Sequence, residues 1–520
     1  MQEEVLSPKE AIKEDQSFKR SLGLTDATMV VAGSMIGSGI FIVSADMLKD
    51  LGSAGWLIAA WLITGFMTLT AALSYGELSA MFPKAGGQYV YLREAYNPFI
   101  GFLYGWSFFA VIQTGTIAAV AVAFGKFLGY LEPSLGDGNI LLGSADGFKI
   151  TAAQMVGIVL IVLLTYINTR GIKSGKLIQT TFTSAKLLAL FGLIIFGFLA
   201  AKSAVWNANW QDAWELKQHA SRIEGGAGGN TWTPLLGFVA LGVIASGMVG
   251  SIFSSDAWNN VTFIAGEVKN PQRNIGLSLF LGTLIVTIIY VSTNLMYLSV
   301  LPINQLAFAT DNRIALSVSN EIFGAVGTTI LAVLIMVSTF GCNNGLILAG
   351  ARVYYTMAKD GLFFKQTGTL NKNAVPEYAL WIQCAMACAL CLSGQYGNLL
   401  DMVSFVVVLF YVLTIAGIFI LRKKSPDAER PYKAFGYPVL PCHLYCYGYC
   451  ILHLVDFVPG CLSLLWTFDC TTWNSNLFHC FGAQKSIVIF YGKYRSVVSG
   501  IFNNESRGNR RCNVRYLHLG

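Results

Sequence analysis

The sequence predicts an all-α integral membrane protein of ten transmembrane helices, built as two five-helix halves of opposite orientation. Three observations carry this. Of the 520 residues, 54% are hydrophobic and only 12% charged, whereas a soluble protein uses roughly 25% charged residues to cover its surface. So much apolar surface has to face lipid. Ten stretches are long enough to cross a hydrocarbon core about 30 Å thick, which takes around 20 apolar residues each. Lys and Arg, finally, fall mainly on one side of the connections between them.

In order, the spans lie within Ala27 to Ser44, Leu51 to Gly76, Ala95 to Gly125, Ile150 to Thr169, Leu177 to Ala201, Thr231 to Glu267, Asn274 to Thr310, Ile322 to Ala351, Tyr378 to Leu400 and Met402 to Leu421. Well inside them only Lys186 and Asp256 are charged. Counted through Lys433, alternate connections carry 20 basic residues on one side and 7 on the other. Basic residues near span ends stay in the cytoplasm, so both ends of the ten-span body are expected inside, in the cell membrane. The first twenty residues are polar and of mixed charge, unlike a secretory signal. The net charge of +7 is thus a topology signal, and no nucleic-acid partner is expected.

The chain then divides into a cytoplasmic segment 1–24, a first half 25–202, an outer loop 203–232, a second half 233–421, a basic cytoplasmic loop 422–441 and a tail 442–520. The tail is anomalous. It holds Cys442, Cys446, Cys450, Cys461, Cys470, Cys480 and Cys512, seven of the 11 cysteines, and four of the five histidines. Cys442, His443, Cys446, Cys450 and His453 superficially resemble zinc-ligand spacing, but Cys-x3-Cys among aromatics matches no compact metal module. The other reading is an ancestral frameshift that replaced further helices. No metal or cofactor is expected.

Two spans are interrupted. Gly33 to Gly39 holds three glycines and two serines in seven residues, which weakens a helix by roughly 1 kcal/mol per glycine relative to alanine. Gly33-x3-Gly37 equally fits a small-residue face for close packing. The sixth span tips the balance, because Gly247 to Asn260 repeats the small, polar interruption five spans later. An odd number of helices per repeat inverts the second half. A broken helix at corresponding places in two inverted halves points to a secondary transporter with a midplane site. There, half-helix N-termini offer N–H donors to an anion and unwound carbonyls receive a cation. A zwitterion such as an amino acid fits both.

Gly33-Ser34-x-Ile36-Gly37-Ser38-Gly39-Ile40-Phe41, Pro83-Lys84-Ala85-Gly86-Gly87-Gln88-Tyr89-Val90-Tyr91, and Trp258-Asn259 followed by Gly266 to Asn274 resemble the amino acid-polyamine-organocation superfamily. Within it, the L-type amino acid transporters and their bacterial relatives are most similar, over about residues 20 to 441. The resemblance implies a LeuT-like 5+5 inverted-repeat permease. Relatives have twelve helices, so the usual last two stand altered here, outside the ten-helix core.

The resemblance also implies a site. The substrate carboxylate would meet N–H groups of Ser38 and Gly39, and the amino group carbonyls of Met35, Phe253, Ser254 and Asp256, so Met35, Ile36, Gly37, Ser38, Gly39, Phe253, Ser254 and Asp256 are the expected substrate-binding residues. Phe253 matches an aromatic gate; packing against lipid or core is its other reading. Asp256 is an acid near the midplane, a functional position by default, or alternatively a cap with Ser254 and Ser255 on the second half-helix. Lys186 stands nine residues after Leu177, about 13 Å into its helix by the rise per residue, too deep to snorkel easily. In the family, a lysine here takes the place of a sodium ion, which implies sodium-independent exchange or proton coupling. Glu267 and Lys269, with Arg93 or Arg352, are candidate inner-gate ion pairs. Relatives in animals are joined by a disulfide to a heavy chain, but Gly125 to Ile150 contains no cysteine, so that partner is not expected. The expected partners are a small-molecule substrate and the lipid bilayer.

Rival classes fare worse. A channel should show a pore loop or ring of like residues, and an enzyme needs chemistry that the ten-span body, with His219 as its one histidine, does not carry. A polyamine carrier would want acidic companions for Asp256. For the tail, translating the gene in the other forward frames past codon 441 should reveal two apolar segments; their absence would remove the frameshift.

Overall fold

The computed structural model describes residues 20–143, 149–170, 172–222, 231–393 and 396–456, all within the unit Met1–Leu462. The first predicted span is two helices, α1 (Leu24–Met35) and α2 (Gly39–Leu51), which meet at a 41° bend. Then come α3 (Ala54–Met81), the short α4 (Gln88–Ala95), α5 (Pro98–Leu131), α6 (Ala152–Thr169) and α7 (Ile172–Leu199). After α8 (Ser203–Trp210) in the predicted outer loop, the sixth predicted span is divided as well: α9 (Phe238–Ser254) is followed, after an unwound stretch, by α10 (Asn260–Phe263). The remainder is α11 (Pro271–Val300), α12 (Ile303–Ala307), α13 (Ile314–Lys359), α14 (Glu377–Ser393), α15 (Tyr396–Lys424) and α16 (Val439–Asp456). Two antiparallel hairpins, β1 (Ile140–Gly143) with β2 (Lys149–Thr151) and β3 (Lys217–His219) with β4 (Trp232–Pro234), decorate the connections.

Seven of these helices are long and apolar enough to cross a membrane, eight if α1 and α2 count as one span, and α9 and α14 are shorter apolar helices. Their faces agree with lipid as solvent. Val159, Leu163 and Tyr166 on α6 and Leu188, Ile195 and Leu199 on α7 are exposed, which would be a liability in water but is the norm in hydrocarbon.

Local chemistry sets several boundaries. Asn97 caps α5 through the Ile100 N–H at 3.0 Å with Pro98 in its first turn, and Thr151 and Gln154 form a reciprocal box at the start of α6, each satisfying N–H groups that a helix start leaves free. Inside α5, Phe108–Ile112 is a π turn, and the Thr114 hydroxyl donates to the Phe109 carbonyl five residues back at 2.7 Å. The seventh span ends sooner than its apolar run predicts, at Val300, because extended Leu301 and Pro302 cannot continue the helix. α13 overruns its predicted start by eight residues and is kinked at Gly324, whose φ of 66° glycine tolerates.

On the face where the basic connections gather, Glu77 at the end of α3 is almost fully buried. Arg422 of α15 donates to both its oxygens, at 3.0 and 2.7 Å, Arg430 approaches at 3.4 Å, and the Ala434 N–H donates at 2.7 Å. The loop after α15 is thus tied down on α3. α16 crosses the compositional boundary at Pro441, and its His443 packs edge-on against Phe66 of α3 at 6.3 Å. The tail from 457, with Cys461, Cys470, Cys480 and Cys512, lies outside the described residues, as do residues 1–19 and the side chains of Cys450 and His453.

Breaking a buried pair by removing one partner costs about 3 kcal/mol or more. Glu77→Ala should therefore lower the melting temperature of the detergent-solubilised protein by several degrees; an unchanged melting temperature would show that the Arg422 and Arg430 contacts add nothing.

Candidate functional site

Where α1 stops, its last carbonyls lose their intrahelical partners, and inside lipid each must find another. The Ala32 carbonyl accepts from the Ile36 N–H at 3.0 Å. Gly33 and Ile36 both accept from Lys186 Nζ of α7, at 2.6 Å each. Ser34 accepts from Cys342 Sγ at 3.2 Å and Met35 from Tyr290 Oη at 2.9 Å. The Ser338 hydroxyl also reaches Ile36, at 3.4 Å. Lys186 is 1% exposed. Its ammonium is met by two carbonyls at the C-terminal end of a helix, where the backbone dipole favours a cation. On the other side of the break, Phe41 is the first residue whose N–H finds a backbone acceptor, Ser38 O at 3.1 Å. The N–H groups of Ser38, Gly39 and Ile40 have no acceptor among the described residues, so the N-terminus of α2 presents free donors.

The second break begins where α9 ends at Ser254. The Ser255 and Asp256 N–H groups turn back to Ser251 O at 3.0 Å and Phe253 O at 3.2 Å, and Ala257 adopts a left-handed φ of 63°. The two breaks are in contact. A Cβ placed on Gly39 would lie 2.0 Å from Ser254 Oγ, and the single hydroxyl of Tyr290 on α11 reaches both Met35 O and Ser254 O, at 2.9 and 3.1 Å. Tyr396, at the start of α15, places its Oη 3.0 Å from Ser38 Oγ and its ring 6.2 Å from that of Phe253. Phe253 is buried and faces this junction rather than lipid.

The predicted residues therefore converge. Met35, Ile36, Gly37, Ser38 and Gly39 make the first break, Phe253, Ser254 and Asp256 the second, and Lys186 holds the first from behind. The helix-cap reading of Ser254 and Asp256 meets other partners: Ser254 Oγ donates back to Gly250 O at 2.8 Å, and Asp256 Oδ1 accepts from Tyr411 Oη at 2.5 Å. Asp256 opens onto a small cavity also lined by Tyr104, Gln113, Asn260, Leu346 and Tyr411. Among the described residues, Asp256 is the one carboxylate in its lining. Of the gate pairs, Glu267 and Arg352 meet at 3.2 Å, both buried. Arg93 turns instead to Glu94 and Asp360; burial alone would lower the pKa of its guanidinium, but Asp360 and Glu94 together outweigh this and raise it. Lys269 is exposed.

Sequence reasoning missed Tyr290, Tyr396, Tyr411 and Cys342. Tyrosines within spans were the available signal, but their partners stand 36 to 358 residues away in the chain.

A family model described as amino acid permease matches residues 22–474. The chain belongs to the amino acid permease family. Among relatives of this permease, the serine/threonine exchanger SteT of Bacillus subtilis is 29% identical over 431 residues, 82% of this chain and 89% of its own. The human large neutral amino acids transporter small subunit 2 is 29% identical over 419 residues, 80% and 72% of the two chains. The Asc-type amino acid transporter 1 of Mus musculus is 27% identical over 418 residues, 80% and 73%. These are transporters, not enzymes, and they favour an amino acid permease over a polyamine carrier. The family match continues past Pro441, as α16 does.

Overfilling a packed contact costs about 1–3 kcal/mol, so Gly39→Ala should reduce amino acid uptake by roughly tenfold or more by forcing the two breaks apart. Adding Ser254→Gly should restore part of it. No loss in the single variant, or no recovery in the double, would contradict the contact.

Proposed function

We propose that the permease moves small neutral amino acids by sodium-independent exchange or proton coupling, through alternating access around the two touching breaks. The observation that carries this is the Lys186 ammonium on Gly33 O and Ile36 O. Unwound carbonyls at a broken helix are where such folds receive a coupling cation, and here the protein's own cation fills that role. The substrate carboxylate goes to the free donors of Ser38 and Gly39, and the ammonium to carbonyls of Met35, Phe253, Ser254 and Asp256, with Phe253 closing over it. The hydroxyls of Ser38, Ser254, Tyr290 and Tyr396 around the breaks suit a small polar substrate, and the similarity to a serine/threonine exchanger points the same way.

In this reading ten spans cross the cell membrane. Residues 25–202 and 233–421 form inverted halves, which α1/α2 and α9/α10 open as the broken helices, and the basic face is cytoplasmic with the N-terminus. The permease works without a disulfide-linked heavy chain, since the loop from Gly125 to Ile150 carries no cysteine.

Lys186→Gln removes the charge while keeping a hydrogen-bonding group. It should abolish uptake in proteoliposomes or make it dependent on an added cation; unchanged flux with unchanged pH and sodium dependence would overturn the role. In a competition panel against labelled serine, serine, threonine and alanine should compete and lysine and glutamate should not. Equal competition by lysine would reassign Asp256 to a cationic side chain.

A further inference from the structure

The run Pro83-Lys84-Ala85-Gly86-Gly87-Gln88 leads from α3 into α4. After α3 ends at Met81, the chain folds back through Gly86 and Gly87, at φ 103° and 45°, values that favour glycine. The turn presses into α10 and α13. A Cβ on Gly87 would stand 2.1 Å from Thr262 Oγ1 and one on Gly86 3.0 Å from the Thr356 side chain. The Gly86 N–H donates to Phe263 O at 3.2 Å, and the Thr356 hydroxyl donates to Ala85 O at 3.2 Å.

Seated this way, Gln88 sends a buried amide into the bundle. Nε2 donates to Phe410 O at 3.1 Å and Thr414 Oγ1 at 2.9 Å, both on α15, while Oε1 accepts from Asn259 Nδ2 at 3.0 Å. Both N–H donors and the carbonyl are occupied, which fixes the amide in place. Gln88, Asn259 and Phe410 all line the cavity beside Asp256. Four residues after α10, Glu267 pairs with Arg352 of α13 at 3.2 Å, and the Ser21 and Leu22 N–H groups reach Glu267 O at 2.9 and 3.0 Å.

We propose that Gln88 is the floor of the substrate cavity and its inner gate: its amide ties the unwound stretch before α10 to α15, and a path to the basic face opens when this tie is released. The inference rests on reading the cavity as the substrate chamber. Gln88 acts as a positioning residue, holding Asn259 and α15 together, since its polar atoms are already taken by protein partners.

The test uses the full chain in vesicles with Thr116→Cys, a substitution in the cavity wall. A membrane-impermeant maleimide is applied from the basic face, and labelling of the same variants with Thr116 retained is subtracted. Losing these hydrogen bonds favours the open state, so labelling should run about tenfold faster with Gln88→Met. Asn259→Ala, which removes one bond from the other side, should also speed it. Rates equal to the parent in both variants would overturn the gate. Excess serine should slow labelling in the parent and in Gln88→Met. No slowing in either would overturn the chamber reading and leave the gate standing on the rates alone.

Discussion

A helix that comes apart inside hydrocarbon must satisfy the carbonyls it frees, and this constraint organises the molecule around α1. The carbonyls freed around its end draw partners from three helices: Lys186 from α7, Tyr290 from α11, Ser338 and Cys342 from α13. A polar group left without a partner in this environment costs several kcal/mol. The break therefore persists because the surrounding helices are committed to it. The same requirement explains why a lysine sits so deep. Among carbonyls at a helix C-terminus its ammonium is solvated, whereas at the same depth toward lipid it would not be.

The arrangement also separates the two jobs of a transport site. The C-terminal end of α1 is occupied by protein groups, whereas the N-terminal end of α2 keeps donors free. The first end is held mainly as a structural joint, with Met35 O as its contribution to the proposed ammonium site, and the second offers its donors to a carboxylate. Tyr290 connects the joint of the first break to the second by touching both Met35 and Ser254, and Tyr396 connects Ser38 to Phe253 from the opposite side. A shift of one broken helix is felt directly by the other, as a moving pair around a shared ligand requires. Away from the junction, Glu77 with Arg422 and Arg430, and Glu267 with Arg352, hold the basic face together. They are ion pairs, whereas at the junction the Lys186 ammonium is met by main-chain carbonyls.

Much of this was legible in the sequence because lipid imposes crude, long-range rules. Span positions follow from the scarcity of charge, and the two breaks follow from Gly33 to Gly39 and Gly247 to Asn260, where small polar residues have no business in an apolar run unless something compensates. Lys186 stood out by depth alone. The partners of the breaks did not, since a tyrosine in a span reads equally as lipid-facing or as an interfacial anchor, and only the packing of α11 and α15 against α1 decides. Glu77 was hidden for a related reason. It follows the predicted end of its span at Gly76 and reads as loop, yet α3 continues to Met81 and buries it. Span ends marked by Pro302 and Gly324 failed because hydropathy does not register a backbone that cannot continue as a straight helix.

In the proposed mechanism the two touching breaks bind both charged groups of an amino acid through main-chain atoms. The most direct measurement is inhibition of labelled serine exchange by analogues that keep the side chain and lose one charge. Serinamide lacks the carboxylate that the α2 donors would hold, and N-acetylserine lacks the ammonium that the α1 and α9 carbonyls would hold. Neither should inhibit at concentrations where unlabelled serine does so completely. Inhibition by either analogue at the potency of serine would contradict the account.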